Sequence, residues 1–290
     1  AVFRRFRPDS VTVNAGLQCV AEALGAKFRF PEYGPPVIEA PGLSSYDDAD
    51  ELDGLSASSL GRLPNFFSAW EDVSGRIGSE VVVDFSLGGP FTTAVYLVGL
   101  DKILRGIVRQ PDSVRKVLRL TTDAVKSVFL KAHSLGAAAG LAEPMASCAV
   151  ISPSAFRSFA KEPLEEISAL AKELYGRGLG LHICGKSRKI WPDLAEIGLS
   201  GFSLDNIESL SEAKASIGSK LTLIGNVPPI EVLKDGTPEE TAASAKACLD
   251  AAKDSPKGFI LASGCEILVD TPPENIDAMM DAARLYGRLD

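Results

Sequence analysis

The sequence predicts an α/β protein, and the architecture that fits it best is a closed (β/α)8 TIM barrel. Short apolar, β-rich runs alternate with amphipathic helical stretches along most of the 290 residues. The apolar runs are continuous, not alternating, which is typical of parallel strands that are covered on both faces. No G-x-G-x-x-G fingerprint follows an early strand, and this disfavours a Rossmann-type open sheet. We therefore expect one barrel domain spanning residues 1–290.

Seven apolar runs are predicted as the barrel strands, and the first of them is the weakest. They are Val11–Asn14, Val81–Phe85, Ala137–Ala142, Leu179–Ile183, Gly201–Leu204, Leu221–Ile224 and Gly258–Ala262. The sequence opens in the middle of this pattern. An eighth strand is therefore expected to be irregular or to belong to an N-terminal segment missing from this sequence.

Helical patterns lie between these strands and carry recognisable start and stop signals. They are Asp112–His133, Pro153–Gly176, Trp191–Ile197, Ser209–Ile217, Pro238–Ala252 and Pro273–Tyr286. Ser152 and Thr237 each stand before a proline, as N-cap residues do before the first helical position. The segment 28–76 contains many loop-forming residues, and we predict that it is an excursion from the barrel.

Composition excludes several classes of protein. The chain is 46% hydrophobic and 23% charged, which predicts a globular fold with a sizeable core. Its formal charge of −8 and the lack of a long basic stripe argue against nucleic-acid or membrane partners. Five scattered cysteines, an odd number, indicate a reducing compartment, and no signal peptide is recognisable. We therefore expect a cytoplasmic location.

Three residues at predicted strand ends form a candidate zinc site. Active sites of barrels lie at the carboxyl ends of the strands. His182 and Cys184 are two apart at one such end, so their side chains share a face, and Cys265 follows the last predicted strand. One imidazole and two thiolates are typical of catalytic zinc with an open fourth position. The alternative is that these cysteines are small buried hydrophobes, which is what we expect of Cys19 and Cys248.

Two carboxylates are candidate catalytic residues. Asp205 stands at the strand end after that of Cys184. It is a candidate for a weak fourth ligand, for an acceptor that orients His182, or simply for the N-cap of the following helix. Glu143 follows the strand Ala137–Ala142 and is a candidate general base or substrate anchor.

Four further residues at strand ends are candidates for substrate binding. A Gly-Gly turn lets a ligand approach the backbone closely, although an ordinary strand-to-helix turn also uses glycine. The candidates are Ser86, Gly88, Gly89 and Asn226.

Several motifs stand out along the chain: DFSLGGPFT at 84–92, LAEPMAS at 141–147, HICG at 182–185, GNVPP at 225–229 and GCEILVDTPPENIDAM at 264–279. These motifs resemble those of the uroporphyrinogen decarboxylase superfamily, and within it those of the zinc-dependent methylcobamide:coenzyme M methyltransferases. The resemblance implies a (β/α)8 barrel of this type with Zn²⁺ near its mouth. His182, Cys184 and Cys265 match the ligand pattern of that branch, and Asp205 stands where it has an acidic residue. Glu143 departs from the aspartate that relatives usually carry in a similar Asp-Pro pair.

The resemblance also implies a reaction. A methyl group would move between a methyl-cobalt corrinoid (cobalamin) and a zinc-activated thiol, a folate or another small acceptor or donor. The corrinoid would be carried by a separate protein partner, since the corrinoid-binding motif D-x-H-x-x-G is absent from this sequence. The alternatives are a decarboxylase of a tetrapyrrole carboxylate, which needs several cations inside the barrel, and a zinc-stabilised scaffold, which needs a closed four-ligand site. The oligomeric state is not predicted.

Overall fold

The structure is a computed structural model that describes residues 2–32 and 34–288. The structure leaves out positions 1, 33, 289 and 290, which lie outside the described residues. All four belong to the predicted domain, and position 33 also belongs to the predicted excursion. The strands are β1 (Ser10–Asn14), β2 (Lys27–Arg29), β3 (Val37–Ala40), β4 (Val82–Gly88), β5 (Ala139–Ala142), β6 (Gly180–Ile183), β7 (Gly201–Leu204), β8 (Thr222–Val227) and β9 (Phe259–Ser263).

The α-helices alternate with these strands over most of the chain. They are α1 (Val2–Phe6), α2 (Cys19–Ala23), α3 (Leu63–Ile77), α4 (Pro90–Val98), α5 (Leu100–Arg109), α6 (Pro111–Ser134), α7 (Pro153–Ala155), α8 (Lys161–Tyr175), α9 (Trp191–Leu194), α10 (Leu210–Ile217), α11 (Pro238–Ala252) and α12 (Pro273–Tyr286). In the described part of the chain, none of them is both long enough and apolar enough to cross a bilayer.

The chain divides into two compact units. The first, which we call the N-terminal unit, comprises Ser10–Ala146 and Val150–Leu179. The second, the C-terminal unit, comprises Ala1–Asp9, Ser147–Ala149 and Gly180–Asp290.

In the N-terminal unit, β4 pairs in parallel with both β1 and β5. The additional strands β2 and β3 pair antiparallel with each other. Helix α3 covers β4, since Trp70 Nε1 donates to Val83 O at 2.8 Å and the Phe67 ring stacks on Phe85. The predicted excursion therefore ends in a helix that is part of the core. The first half of the predicted excursion is rich in Gly, Pro and Asp, and this composition hid the amphipathic pattern of α3.

In the C-terminal unit, β6, β7, β8 and β9 pair in parallel in that order. The large apolar side chains of Phe202, Leu204 and Leu223 on these strands are fully buried. A capping box starts α11: the Thr237 hydroxyl accepts from the Glu240 N–H, and the Glu240 carboxylate accepts from the Thr237 N–H. All seven predicted barrel strands, across both units, are confirmed within a few residues.

The predicted helix Pro153–Gly176 differs from the observed structure in its first turns. After α7, capped by Ser152, residues Phe156–Ala160 form a π-helical turn, and only then does α8 begin. Pro163 lies near the start of α8 and has no N–H to give to the carbonyl four residues before it. The wide turn lies directly ahead of this proline, as expected where the i to i−4 ladder is interrupted.

Candidate metal centre

Three metal-ligand side chains meet at the carboxyl ends of β6 and β9, within the C-terminal unit. His182 Nε2 lies 3.0 Å from Cys184 Sγ, and Cys184 Sγ lies 3.5 Å from Cys265 Sγ. The three ligand atoms all lie within 4.8 Å of one another, and each residue is partly exposed. A tetrahedral zinc ion with bonds of about 2.0–2.3 Å separates its ligand atoms by roughly 3.5–4 Å. The three side chains therefore fit one zinc ion with small adjustments.

The two thiols differ in acidity because they share one hydrogen bond. The hydrogen bonds from Cys184 and His182 lower the pKa of the Cys265 thiol. The hydrogen bond to Cys265 and burial raise the pKa of Cys184, and the charges of Asp205 and Glu266 raise it further. Of the two sulfurs, Cys265 therefore loses its proton more readily. Binding of a divalent ion by both sulfurs as thiolates would release the remaining thiol protons.

His182 is held by a residue that sequence reasoning missed. The parallel register places Ser203 of β7 directly beside His182 of β6. His182 Nδ1 lies 3.0 Å from Ser203 Oγ and 3.2 Å from Ser203 O. The register of β6 against β7 is the feature that identifies Ser203. A residue opposite a metal-ligating histidine is well placed to form a hydrogen bond with the second ring nitrogen.

Asp205 fixes the turn that follows Cys184. Its Oδ2 accepts the N–H of Gly185 at 2.7 Å, and its Oδ1 accepts the N–H of Ile207 at 3.1 Å. The predicted alternative in which it caps the next helix is wrong, because Ser209 is the N-cap of α10 and accepts from Glu212 N–H. The alternative in which it orients His182 is also not observed, since Ser203 occupies that place. Asp205 lies outside the group of three ligand atoms described above.

Asn226 ties the loop after β7 to the end of β8. Its Nδ2 donates to Asp205 O at 3.0 Å and to Glu208 O at 2.8 Å. Its Oδ1 receives the Cys248 thiol, and both side chains are buried, as predicted for Cys248. The amide of Asn226 is thus committed to loop contacts. A role in substrate binding stays a prediction.

The predicted site residues of the N-terminal unit form a separate buried cluster. Glu143 is completely buried after β5, and its two oxygens accept the N–H groups of Phe91 at 3.1 Å and Thr92 at 2.6 Å. These are the first turn of α4, whose dipole favours a negative group there. The observed role of Glu143 is therefore to cap α4.

The Gly-Gly turn is explained by close protein contacts. A Cβ on Gly89 would lie 2.2 Å from Glu143 Oε2, and one on Gly88 would lie 2.4 Å from Leu17 O. Ser86 is half-buried, and its carbonyl accepts from Ala15 N–H at 2.8 Å. The close approach predicted for a ligand is thus made by the protein itself. Substrate contacts by these three residues stay a prediction.

Glu143 predicts a pH dependence of stability. Burial raises its pKa to about 7, in spite of the hydrogen bonds from Thr92 and Phe91 that lower it. The folded state then holds the proton more tightly than the unfolded chain, whose glutamate titrates near pH 4.3. The free energy of unfolding should fall as pH rises from about 4.3 to about 7, by up to about 3 kcal/mol. Glu143→Gln should lose this slope in urea unfolding with a chelator present.

The decisive quantity is the difference in free energy of unfolding between the wild type and Glu143→Gln at each pH. The contributions of all other titrating groups cancel in this difference. Equal slopes for the wild type and Glu143→Gln would show that Glu143 titrates in the folded state as it does in the unfolded chain, and a wild-type slope of opposite sign would show a lowered pKa.

Comparison with known proteins identifies the family. The family model described as uroporphyrinogen decarboxylase (URO-D) matches residues 1–286. The methylcobamide:CoM methyltransferase MtaA of Methanosarcina barkeri is 29% identical over 282 residues, covering 96% of this chain and 80% of that protein. A methylated-thiol–coenzyme M methyltransferase of Methanosarcina mazei is 27% identical, with coverages of 91% and 69%. A uroporphyrinogen decarboxylase of Aromatoleum aromaticum is 29% identical, with coverages of 98% and 80%.

A solved structure gives the fold. A methyltransferase from Methanosarcina mazei superimposes with a TM-score of 0.86 at 26% identity, over 97% of this chain and 82% of that one. With the repeated strand-then-helix order, this confirms the predicted (β/α)8 barrel of the uroporphyrinogen decarboxylase type. Because the family model spans nearly all of the sequence, the chain belongs to the uroporphyrinogen decarboxylase (URO-D) family.

Proposed function

We propose that the protein is a zinc-dependent corrinoid methyltransferase. It would move a methyl group between a methyl-cobalt corrinoid, carried by a partner protein, and a thiol or another small acceptor or donor. The observation that carries this proposal is the convergence of His182 Nε2 with the sulfurs of Cys184 and Cys265. Relatives named methylcobamide:CoM methyltransferases, matched over nearly the whole chain, support it.

The donor set suits a catalytic ion more than a structural one. Three protein ligands leave one position of a tetrahedral zinc ion open, whereas structural zinc sites are closed by four. A zinc ion held by His182, Cys184 and Cys265 would lower the pKa of a bound thiol and supply a thiolate near neutral pH. The partial exposure of all three side chains leaves room for such a small molecule to reach them.

The neighbouring residues have different tasks. We propose that Asp205 keeps Cys184 in place through the Gly185 N–H, and that its charge adds to the negative potential around the sulfurs. It also stays a candidate for a fourth ligand that the substrate displaces. For Glu143, the two backbone N–H groups on its oxygens favour positioning of α4 over action as a general base. A cytoplasmic location stays a prediction.

A tetrapyrrole decarboxylase is the second candidate, because a protein of that name is 29% identical over 294 residues. Such an enzyme must hold several carboxylates with cations. The charges that raise the pKa of Cys184 are instead negative ones, those of Cys265, Asp205 and Glu266. The electrostatics of the described centre therefore favour a metal cation over a polycarboxylate.

The experiment uses the zinc-loaded full chain without oxygen. Methylcobalamin is the donor, and 2-mercaptoethanesulfonate and tetrahydrofolate are tested separately as acceptors. We expect demethylated corrinoid and methylated product in equal amounts with at least one acceptor. In a parallel reaction, uroporphyrinogen should give no carbon dioxide. Carbon dioxide release without methyl transfer would establish the decarboxylase, and neither product from a zinc-bearing chain would favour the scaffold.

A further inference from the structure

Strand β7 and the residue directly after it contact the segment that carries His182 and Cys184. Ser203 and Asp205 lie two residues apart, so their side chains point to the same side of the extended chain. Ser203 reaches the ring of His182, while Asp205 reaches the backbone just after Cys184. The two contacts differ in kind, because Asp205 holds a turn whereas Ser203 touches the imidazole itself.

The contacts of His182 select one tautomer. Its Nε2 faces Cys184 Sγ at 3.0 Å, so this is the nitrogen that points into the cluster. A neutral imidazole that binds a metal through Nε2 must carry its hydrogen on Nδ1. Nδ1 lies between two oxygens of Ser203, and the carbonyl oxygen can only accept a hydrogen bond. An Nδ1–H shared between that carbonyl and the hydroxyl oxygen satisfies both contacts.

The carboxylate of Asp205 does not replace Ser203 in this task. Both carboxylate oxygens of Asp205 already accept backbone N–H groups, from Gly185 and Ile207. A hydrogen bond also sets the plane of the ring, since Nδ1–H is held between two acceptors of one residue. The hydroxyl accounts for the shorter of the two contacts.

We propose that Ser203 is a positioning residue of the metal centre: it fixes the Nδ1–H tautomer and the ring plane of His182, so that the Nε2 lone pair faces the ion. This inference rests on the metal-binding part of the proposed function and is independent of the reaction. Residues that orient a metal-ligating histidine typically contribute about 10- to 100-fold to metal affinity. The carbonyl of Ser203 remains when the hydroxyl is removed, so the expected loss lies near the lower value.

The test compares Ser203→Ala with Ser203→Thr, which keeps a hydroxyl, by zinc competition against a chromophoric chelator. We expect about a tenfold loss of affinity for Ser203→Ala and recovery to within about threefold of wild type for Ser203→Thr. The matched control is Thr222→Ala, which removes a strand hydroxyl bonded to Lys257 O at the far end of β8. It should bind zinc like the wild type. Cobalt absorption bands of Ser203→Ala should shift, since the ring is reoriented.

A second measurement does not depend on any variant. Nitrogen-resolved NMR of the imidazoles in the zinc-loaded wild type should show His182 with a protonated Nδ1 and a metal-bound Nε2. A bare Nδ1, or an equal zinc affinity of wild type and Ser203→Ala, would overturn the proposal. If zinc binding follows the expected order but no methyl group is transferred, the reaction is wrong and the role of Ser203 stands.

Discussion

Replacing Cys265 with serine is expected to reduce bound zinc from one ion per chain to a small fraction, when a chelator buffers free zinc just above the level that loads the wild type. The thiolate gives way to a neutral hydroxyl, which is a poor ligand for this ion at neutral pH. Structural zinc sites with four protein ligands bind the ion with about 10–16 kcal/mol, so a single ligand carries roughly 3–4 kcal/mol, or about 10²- to 10³-fold in affinity. The measurement is zinc per chain after equilibrium dialysis, and His182→Ala and Cys184→Ser should behave alike.

The matched control for these variants is Cys248→Ser. Cys248 is a buried thiol of the same unit, and a serine hydroxyl can keep its hydrogen bond to Asn226 Oδ1. This variant should retain one zinc ion per chain and normal methyl transfer. Full zinc occupancy in all three ligand variants would contradict the metal centre, and with it the proposed reaction. Loss of methyl-transfer activity in proportion to the loss of bound zinc would show that the reaction depends on the metal centre.

The ligands were predictable because two simple rules point to them. Parallel strands end at the same edge of the sheet, and residues two apart, such as His182 and Cys184, have side chains on the same face. Cys265, at the end of another strand, was therefore expected to lie near them. The ligand atoms do converge, within 4.8 Å of one another. Ser203 was missed because its place depends on the register of β6 against β7, which neither strand encodes alone. Sequence position alone likewise suggested substrate contacts for Asn226. Its amide ties a loop, and the substrate contact stays a prediction.

The barrel strands were predictable for a related reason, whereas helices α4 and α5, like α3, were not predicted. Continuous apolar runs bounded by glycine and polar residues mark the strands wherever they are covered on both faces. Helix α4 escaped the same reasoning because eight of its nine residues are buried, which removes the polar face that reveals a helix. Helix α5 is separated from α4 by the single residue Gly99, and it was missed together with α4.

Gly264→Ala is expected to damage the metal centre although it replaces none of the three ligand residues. A Cβ at this position would lie 2.4 Å from the backbone nitrogen of Asn206 and 2.7 Å from its Cβ. Neither atom can rotate away, and Asn226 holds the carbonyls of the neighbouring Asp205 and Glu208. The end of β9 must therefore shift, and Cys265 with it. We expect a cost of about 1–3 kcal/mol in the free energy of unfolding and roughly a tenfold loss of zinc affinity.

Gly180→Ala is the control that separates this steric effect from a general cost of losing glycine. Gly180 also belongs to the C-terminal unit and starts β6, but a Cβ there would meet nothing within 4 Å. Its unfolding and its zinc affinity should match those of the wild type, measured by urea titration and chelator competition. If Gly264→Ala binds zinc as tightly as Gly180→Ala, then the added Cβ displaces the loop after β7, and the end of β9 keeps its position. The tight packing of Gly264 on Asn206 would then not be what sets the position of Cys265.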